Sequence, residues 1–430
     1  MTRRVGVPSL AITGFLAIVA LFIPADSPAV HAAASLTPIE QLGKSLFFDK
    51  NLSKNHNQSC ASCHDPVTGF TGPTSSVNAH GAVYAGSDTS LFGNRKPPAA
   101  AYAGDSGVLH QDASLAWSGG MFWDGRATGA ALGDPLAEQA KGPFLNPLEQ
   151  ALSSAAELRD RVKASSYVSL FNQVFGPGAI DADANAVYDN IGRAIAAYER
   201  SWEVSAYTSK FDKFWDAAKA KNKNVASINV SNWTTYRKFG FTDTELYGLA
   251  LFNDATRANC ASCHSLAPGS KGYPLFTDYG YDNIGMPKNP ENPFYANLAY
   301  NPAGTNWIDL GLGPVVNAAA QNGKMKVPTL RNVDKRPTST FVKAYGHNGA
   351  LKSLSDVISF YRARAMGGMM GGGGMGGMGG GGMGGGGMGG MMFPSPEVSQ
   401  NLAALKGFSG MDQSYIVAFL KTLSDGYFRR

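Results

Sequence analysis

The sequence predicts a mostly α-helical chain in two domains, with long irregular loops and few short strands. Three observations lead there. One pentapeptide occurs in each half, Cys60-Ala-Ser-Cys63-His64 and Cys260-Ala-Ser-Cys263-His264, and the two copies hold all four cysteines. Apolar residues recur at helical spacing in several segments joined by Gly/Pro-rich connections. Alternating, strand-like runs are scarce and short.

At the N-terminus, Arg3 and Arg4 precede an apolar run from Val5 to Ile23, then the small residues Ala29-Val30-His31-Ala32-Ala33-Ala34. Residues 1–34 therefore read as an export signal cleaved after Ala32 or Ala34. A retained anchor is the alternative, because the run is nearly long enough to span a bilayer. No later stretch is long and apolar enough to cross, so no stable membrane span is expected after processing. About 395 residues then remain, enough for two domains with a core each. Periodic sequence gives way to Lys- and Asn-rich sequence within 203–230, so the domains are expected at 35–205 and 206–430.

The segment from Ala182 to Trp202 carries Val187, Ile191, Ala194, Ile195 and Tyr198 on one face and predicts a core helix. From Thr242 to Asn259, Leu246, Leu249, Leu251 and Phe252 predict a helix running straight into the second pentapeptide. Leu354–Tyr361 and Ser409–Leu423 predict two more, the latter capped by Ser409 or Asp412. Residues 366–392 are different: 9 methionines and 18 glycines and nothing else. Such a composition forms neither core nor helix and predicts a flexible insertion. It reads as a tolerated loop, with Cu(I) capture by thioethers or sacrificial oxidation as sharper alternatives.

The formal charge of +5 becomes +4 once Arg3, Arg4 and Asp26 leave with the signal. Without basic runs, that surplus gives no reason to expect nucleic acid or a membrane surface as partner.

The pentapeptide carries the chemistry. Two thiols three positions apart on a short helical turn can bond both vinyl groups of one porphyrin, while the adjacent histidine turns onto the iron. A zinc site would need two further ligands per motif, and a thioredoxin-like dithiol would not need the histidine. Each domain is thus expected to be cytochrome c-like, with one covalent c-type haem held by Cys60 and Cys63 or by Cys260 and Cys263, and with His64 or His264 on the iron. No cysteine is left for a disulfide. Such haems are loaded outside the cytoplasmic membrane, which agrees with export to the periplasm.

From Ser35 onward the chain resembles the bacterial dihaem cytochrome c peroxidase/MauG superfamily. The blocks that carry the resemblance are LGKSLFFDKNLSKNHNQSCASCHDP, MFWDGRATGAALGDPLAEQAKGPFLNPLEQ, the second pentapeptide, and KVPTLRNVDKRPTSTFVKAYGHNGALKSLSDVISFY. The resemblance implies a peroxidatic haem in the first domain and an electron-transfer haem in the second. Gln139 and Glu149 fall on its distal-pocket glutamine and glutamate, where a carboxylate over the iron can move a proton between the peroxide oxygens. From local sequence alone, Glu149 reads as a solvated helix-start residue after Asn146-Pro147. Pro143 falls on the distal-side proline that shapes access. Trp123 matches the tryptophan between the haems, and by itself would read as a core aromatic.

His80, 16 residues after His64, stands where peroxidases of the family carry a removable distal histidine; otherwise it is a surface-loop residue. His56 and His110 match no role. The resemblance implies that the second haem's distal ligand lies 14 residues beyond His347, at Tyr361. Peroxidases have methionine there and the MauG branch tyrosine, whose phenolate favours higher oxidation states. Met366 is a competing ligand, and Tyr361 could instead be a helix-face aromatic.

Three departures accompany the resemblance. Residues Thr128 to Asp134 are additional. Ala258 replaces the tryptophan that the MauG branch uses for remote oxidation of its protein substrate. Lys96 replaces the calcium-binding asparagine, which leaves calcium open. The implied partners are hydrogen peroxide and a small cytochrome c or cupredoxin as electron donor. The leading expectation is peroxide reduction to water; the others are MauG-like oxidation of a tryptophan in a partner protein and noncatalytic electron transfer. Family members are often homodimers, but no interface is legible here.

Overall fold

The computed structural model describes residues 35–367 and 393–429, together with Met1. The expected export signal and, apart from Met366 and Gly367, the Met/Gly segment lie outside the described residues. The helices are α1 (Pro38–Phe48), α2 (Ser75–Ala79), α3 (Pro135–Leu145), α4 (Ala155–Lys163), α5 (Val168–Phe175), α6 (Ala184–Glu199), α7 (Lys210–Lys219), α8 (Asp243–Asn253), α9 (Leu312–Val315), α10 (Leu354–Ala365) and α11 (Gly410–Lys421). Short 3₁₀ turns and two antiparallel ribbons of two-residue strands lie between them. β1 (His110–Gln111) pairs with β2 (Trp117–Ser118), and β3 (Tyr281–Asp282) pairs with β4 (Met325–Lys326).

The described chain buries two main apolar cores, each built on the same local sequence. Thr37 and Glu40 open α1 with a capping box, and Thr242 and Glu245 open α8 with another. In both, the glutamate carboxylate accepts from the N-cap backbone N–H, at 2.7 and 2.8 Å. One turn on, Gly43 faces the carbonyl of Ala194 in α6, and Gly248 faces that of Tyr415 in α11. A Cβ at either glycine would collide with that oxygen, so only glycine allows each helix pair to cross so closely. Tyr198 and Phe419 then close over the two crossings. Leu46 and Phe47, like Leu251 and Phe252, are buried at the C-terminal end of the first helix of each pair.

Around α1 and α6 the first core gathers Phe144, Leu158 and Phe171, from α3, α4 and α5. Around α8 and α11 the second gathers Phe214, Ile358 and Phe360, from α7 and α10. The chain passes from one to the other between Tyr207 and Phe211.

The helix expected over 182–202 is α6, and that over 409–423 is α11, with Ser409 as N-cap and Asp412 as its reciprocal partner. The helix at 354–361 runs on to Ala365. The helix at 242–259 stops at Asn253 instead of reaching Cys260. Asp254 folds its carboxylate back onto the N–H of Thr256 at 2.9 Å, and Asn259 is left-handed at φ 50°. This local side-chain bond competes with further helix and turns the pentapeptide away from the helix axis.

Gly43→Ala and Gly248→Ala should each lower the thermal unfolding midpoint, by an overpacking cost of about 1–3 kcal/mol. An unchanged midpoint in either would contradict the close crossing at that site.

Candidate functional site

The first pentapeptide forms one 3₁₀ turn, Cys60–Ser62, closed by His64 N–H donating to the Cys60 carbonyl at 2.9 Å. Cys60, Cys63 and His64 face a cavity with about 1130 Å³ of empty space. His64 Nδ1 lies 3.2 Å from the Phe70 carbonyl, which holds a proton on Nδ1 and leaves Nε2 as the free lone pair. Burial pushes its pKa down to about 4, so the ring is neutral, as a metal ligand must be.

Helix α3 lays Leu136, Gln139, Ala140 and Pro143 along the same cavity, one face of the helix at i, i+3, i+4 and i+7. The turn after it brings in Glu149, whose N–H donates to the Asn146 carbonyl at 3.0 Å. Desolvation raises the Glu149 carboxyl above its ordinary range, against weaker pulls from Arg126 and Asn146. Phe122, Arg126 and Glu149 also line a neighbouring cavity of about 590 Å³, so Glu149 stands in the wall between the two spaces.

The second pentapeptide repeats the arrangement. Cys260–Ser262 is a 3₁₀ turn, and His264 Nδ1 lies 2.9 Å from the Phe276 carbonyl. Cys263 and His264 face a cavity of about 1390 Å³ with Met286, Met325, Lys326 and His347. Burial pushes the Cys63, Cys260 and Cys263 thiols up to about 12 and Cys60 further, so none is a reactive thiolate. Tyr361, on α10, lies near Cys260 and Cys263, and desolvation there pushes its phenol up.

Trp123 lines both cavities. Its indole N–H donates to the Lys96 carbonyl at 2.8 Å, its own carbonyl accepts from Lys326 N–H at 2.8 Å, and its ring meets His347 edge-on at 6.5 Å. Next to it, Asp124 joins Asp309 around Arg95 in a buried ion cluster.

The residues fit two haems. The first cavity offers Cys60, Cys63 and His64 and the second Cys263 and His264, with Cys260 on the same turn, and each presents polar atoms that no protein group satisfies. Those atoms are Gln58 Oε1, both amide atoms of Gln150 and Glu199 Oε2 in the first cavity, and His347 Nε2 in the second. They do not fit calcium. The Lys96 ammonium donates to Thr71 Oγ1 at 3.0 Å and to the Pro97 carbonyl at 2.9 Å, supplying a cation where the ion would need oxygen ligands.

The structure brings Glu149, Gln139, Pro143, Trp123, Cys60, Cys63 and His64 to one cavity. It does not bring His80 there: that side chain is 72 % exposed, at the end of α2, with Nδ1 3.3 Å from Glu291. Met366 is likewise turned out, 71 % exposed. Sequence reasoning missed Arg95, Asp309, Met286 and Glu199. For Glu199 a signal existed, since it stands four residues after Ile195 on the apolar stripe of α6.

Burial raises the Glu199 carboxyl from 4.5 to about 8. Between those values the unfolded chain is ionised and the folded one is not, so stability falls as pH rises from about 4.5 to about 8 and then levels. Glu199→Gln should remove that slope from the thermal midpoint. A wild-type-to-variant difference that does not change with pH would contradict a buried, protonated carboxyl.

A sequence profile described as di-haem cytochrome c peroxidase matches residues 38–220. The chain is 33% identical over 419 residues to methylamine utilization protein MauG of Paracoccus denitrificans, covering 95% of this chain and 94% of that one. It is 28% identical over 342 residues to cytochrome c551 peroxidase of Nitrosomonas europaea, covering 78% and 77%. The solved diheme peroxidase BthA from Burkholderia thailandensis superposes with a TM-score of 0.66 at 27% identity, covering 90% and 86%. With its two pentapeptide cavities on either side of one tryptophan, the chain belongs to the di-haem cytochrome c peroxidase/MauG family of oxidoreductases.

Proposed function

We propose that this protein is a periplasmic enzyme that reduces hydrogen peroxide to water with electrons from a small cytochrome c or cupredoxin. The observation that carries the reading is Glu149, a buried carboxyl with a raised pKa in the same cavity as His64 and the first pentapeptide. In this reading residues 35–205 and 206–430 are two cytochrome c-like domains. Cys60, Cys63 and His64 would hold one haem, and Cys260, Cys263, His264 and Tyr361 the other. When bound, the haems would supply the redox-active iron that delivers two electrons to peroxide.

The protein's own groups handle the protons. Glu149 takes a proton from one peroxide oxygen and returns it to the other, which leaves as water. The Gln139 amide orients the peroxide, and Pro143 narrows the approach. Trp123 passes electrons from the second site to the first. For His80 to reach the first iron, the 78–82 loop must break its pair with Glu291 and the bonds from Lys352 and Asn289 to the His80 carbonyl.

A second reading, MauG-like oxidation of a tryptophan in a partner protein, draws support from Tyr361 beside the second pentapeptide and from the MauG relative. An oxidoreductase family leaves the noncatalytic carrier without support.

In the haem-loaded protein, peroxide turnover with reduced cytochrome c should fall about 10²- to 10⁴-fold in Glu149→Gln, with both haem spectra intact. Wild-type turnover should also decline as pH drops through an ionisation above the usual carboxylate range, because the base form is then lost. Unchanged turnover in Glu149→Gln would remove the proposed proton carrier. Absence of turnover, with a mass change on a tryptophan of a partner protein, would favour the second reading.

A further inference from the structure

The cavity of about 590 Å³ that adjoins the first pentapeptide's is lined by Phe122, Arg126, Glu138, Gly142, Asn146 and Glu149, and by neither pentapeptide. It meets solvent, since Gly142 is exposed and the Arg126 side chain is 43 % exposed. Arg126 is held at its mouth from two sides. The guanidinium carbon lies 3.7 Å from the centre of the Phe122 ring, and Nη1 donates to both Asp124 oxygens at 3.0 Å. Phe122 keeps a left-handed backbone at φ 66°, strained for an aromatic residue, so the surrounding packing fixes where its ring stands. Gly142, on α3, leaves room for that ring: a Cβ there would lie 2.9 Å from Phe122 Cζ.

The additional residues Thr128 to Asp134 are tied to the same cavity through Glu138. Its carboxylate accepts from the N–H of Gly129 at 2.7 Å, of Ala131 at 2.8 Å and of Leu132 at 2.9 Å, so the segment wraps one fixed anion. At the segment's end Asp134 caps α3 and accepts from both Nη atoms of Arg200, at 2.9 and 2.8 Å. The polar lining decides what passes. An alkyl group entering here would strip water from Arg126, Glu138, Asn146 and Glu149 and offer no hydrogen bond in return. Hydrogen peroxide is small and both of its oxygens donate and accept, so it replaces the water it displaces.

We propose that this cavity is the entrance through which hydrogen peroxide reaches Glu149, and that Arg126, seated on Phe122, selects hydrogen peroxide over alkyl hydroperoxides. The proposal rests on the peroxide-reducing reading, whose substrate class it narrows. Arg126 carries no proton in the reaction. It is a positioning residue that shapes the mouth, and its charge pulls the Glu149 carboxyl towards the ionised form in which it accepts a proton.

The test mixes the haem-loaded full chain with hydrogen peroxide, tert-butyl hydroperoxide or cyanide and follows the first haem by stopped-flow absorption. Cyanide binds iron without redox chemistry and so reports access alone. The wild type should react with hydrogen peroxide about 10²-fold faster than with the alkyl hydroperoxide. Arg126→Ala should shrink that ratio about tenfold, mainly through faster reaction with the alkyl hydroperoxide. Arg126→Lys, which keeps the charge but loses the planar stack on Phe122, should shrink it in the same direction and serves if the alanine variant loses a haem. Gly142→Leu puts a side chain into the entrance and should slow both hydrogen peroxide and cyanide about tenfold, with both haem spectra retained. An unchanged ratio in the Arg126 variants, or an unchanged cyanide rate in Gly142→Leu, would overturn the proposal alone. A first haem that binds cyanide but ignores every peroxide would overturn the peroxidase reading, and the selectivity with it.

Discussion

Arg95 donates to two carboxylates at once, to Asp124 at 2.6 Å and to both oxygens of Asp309 at 2.7 Å, and this buried cluster ties the two halves of the chain together beside both cavities. Arg95 and Asp124 belong to the first half of the chain and Asp309 to the second. The guanidinium holds the Asp309 carboxyl down at about 2, so the cluster stays charged at any physiological pH. Removing one member of such a buried set leaves the others uncompensated, at a cost of about 3–5 kcal/mol. Trp123 is the neighbour of Asp124, and its indole is tied to the carbonyl of Lys96, the neighbour of Arg95. The ion cluster therefore fixes the one aromatic wall that the two cavities share.

Around that wall the chain uses one plan twice. A capping box, a glycine crossing and a 3₁₀ turn place a histidine with Nδ1 on a main-chain carbonyl in each half. What differs is the lining. The first cavity receives a carboxyl with a raised pKa and an amide from α3 and the turn after it, groups suited to moving protons. The second receives Met286, Met325 and His347 among three lysines and three carboxylates, with the Tyr361 phenol near its thiols. On the proposed function, this contrast in lining separates a site that breaks an O–O bond from one that stores and passes electrons.

Much of this was legible in the sequence. The pentapeptides announce themselves because covalent attachment demands fixed spacing, and the apolar stripe of α6 follows the helical period. The stops were harder to read: α8 ends early because Asp254 bonds locally to Thr256, a competition that periodicity does not register. Helix α3 escaped notice because Gly142 and Pro143 interrupt its pattern, although its face at 136, 139, 140 and 143 lines the cavity. The Arg95–Asp309 pair joins positions 214 residues apart, and no local pattern connects them. The resemblance pointed to Trp123, Gln139, Pro143 and Glu149, all of which line the first cavity.

The proposed electronic coupling of the two sites through Trp123 is read by stopped-flow absorption of the haem-loaded protein after one equivalent of peroxide. In the wild type both haems should change within the same kinetic phase. In Trp123→Phe, with the Arg95 cluster intact, the first haem should respond at its usual rate and the second should lag at least tenfold. Simultaneous responses in the variant would contradict the account.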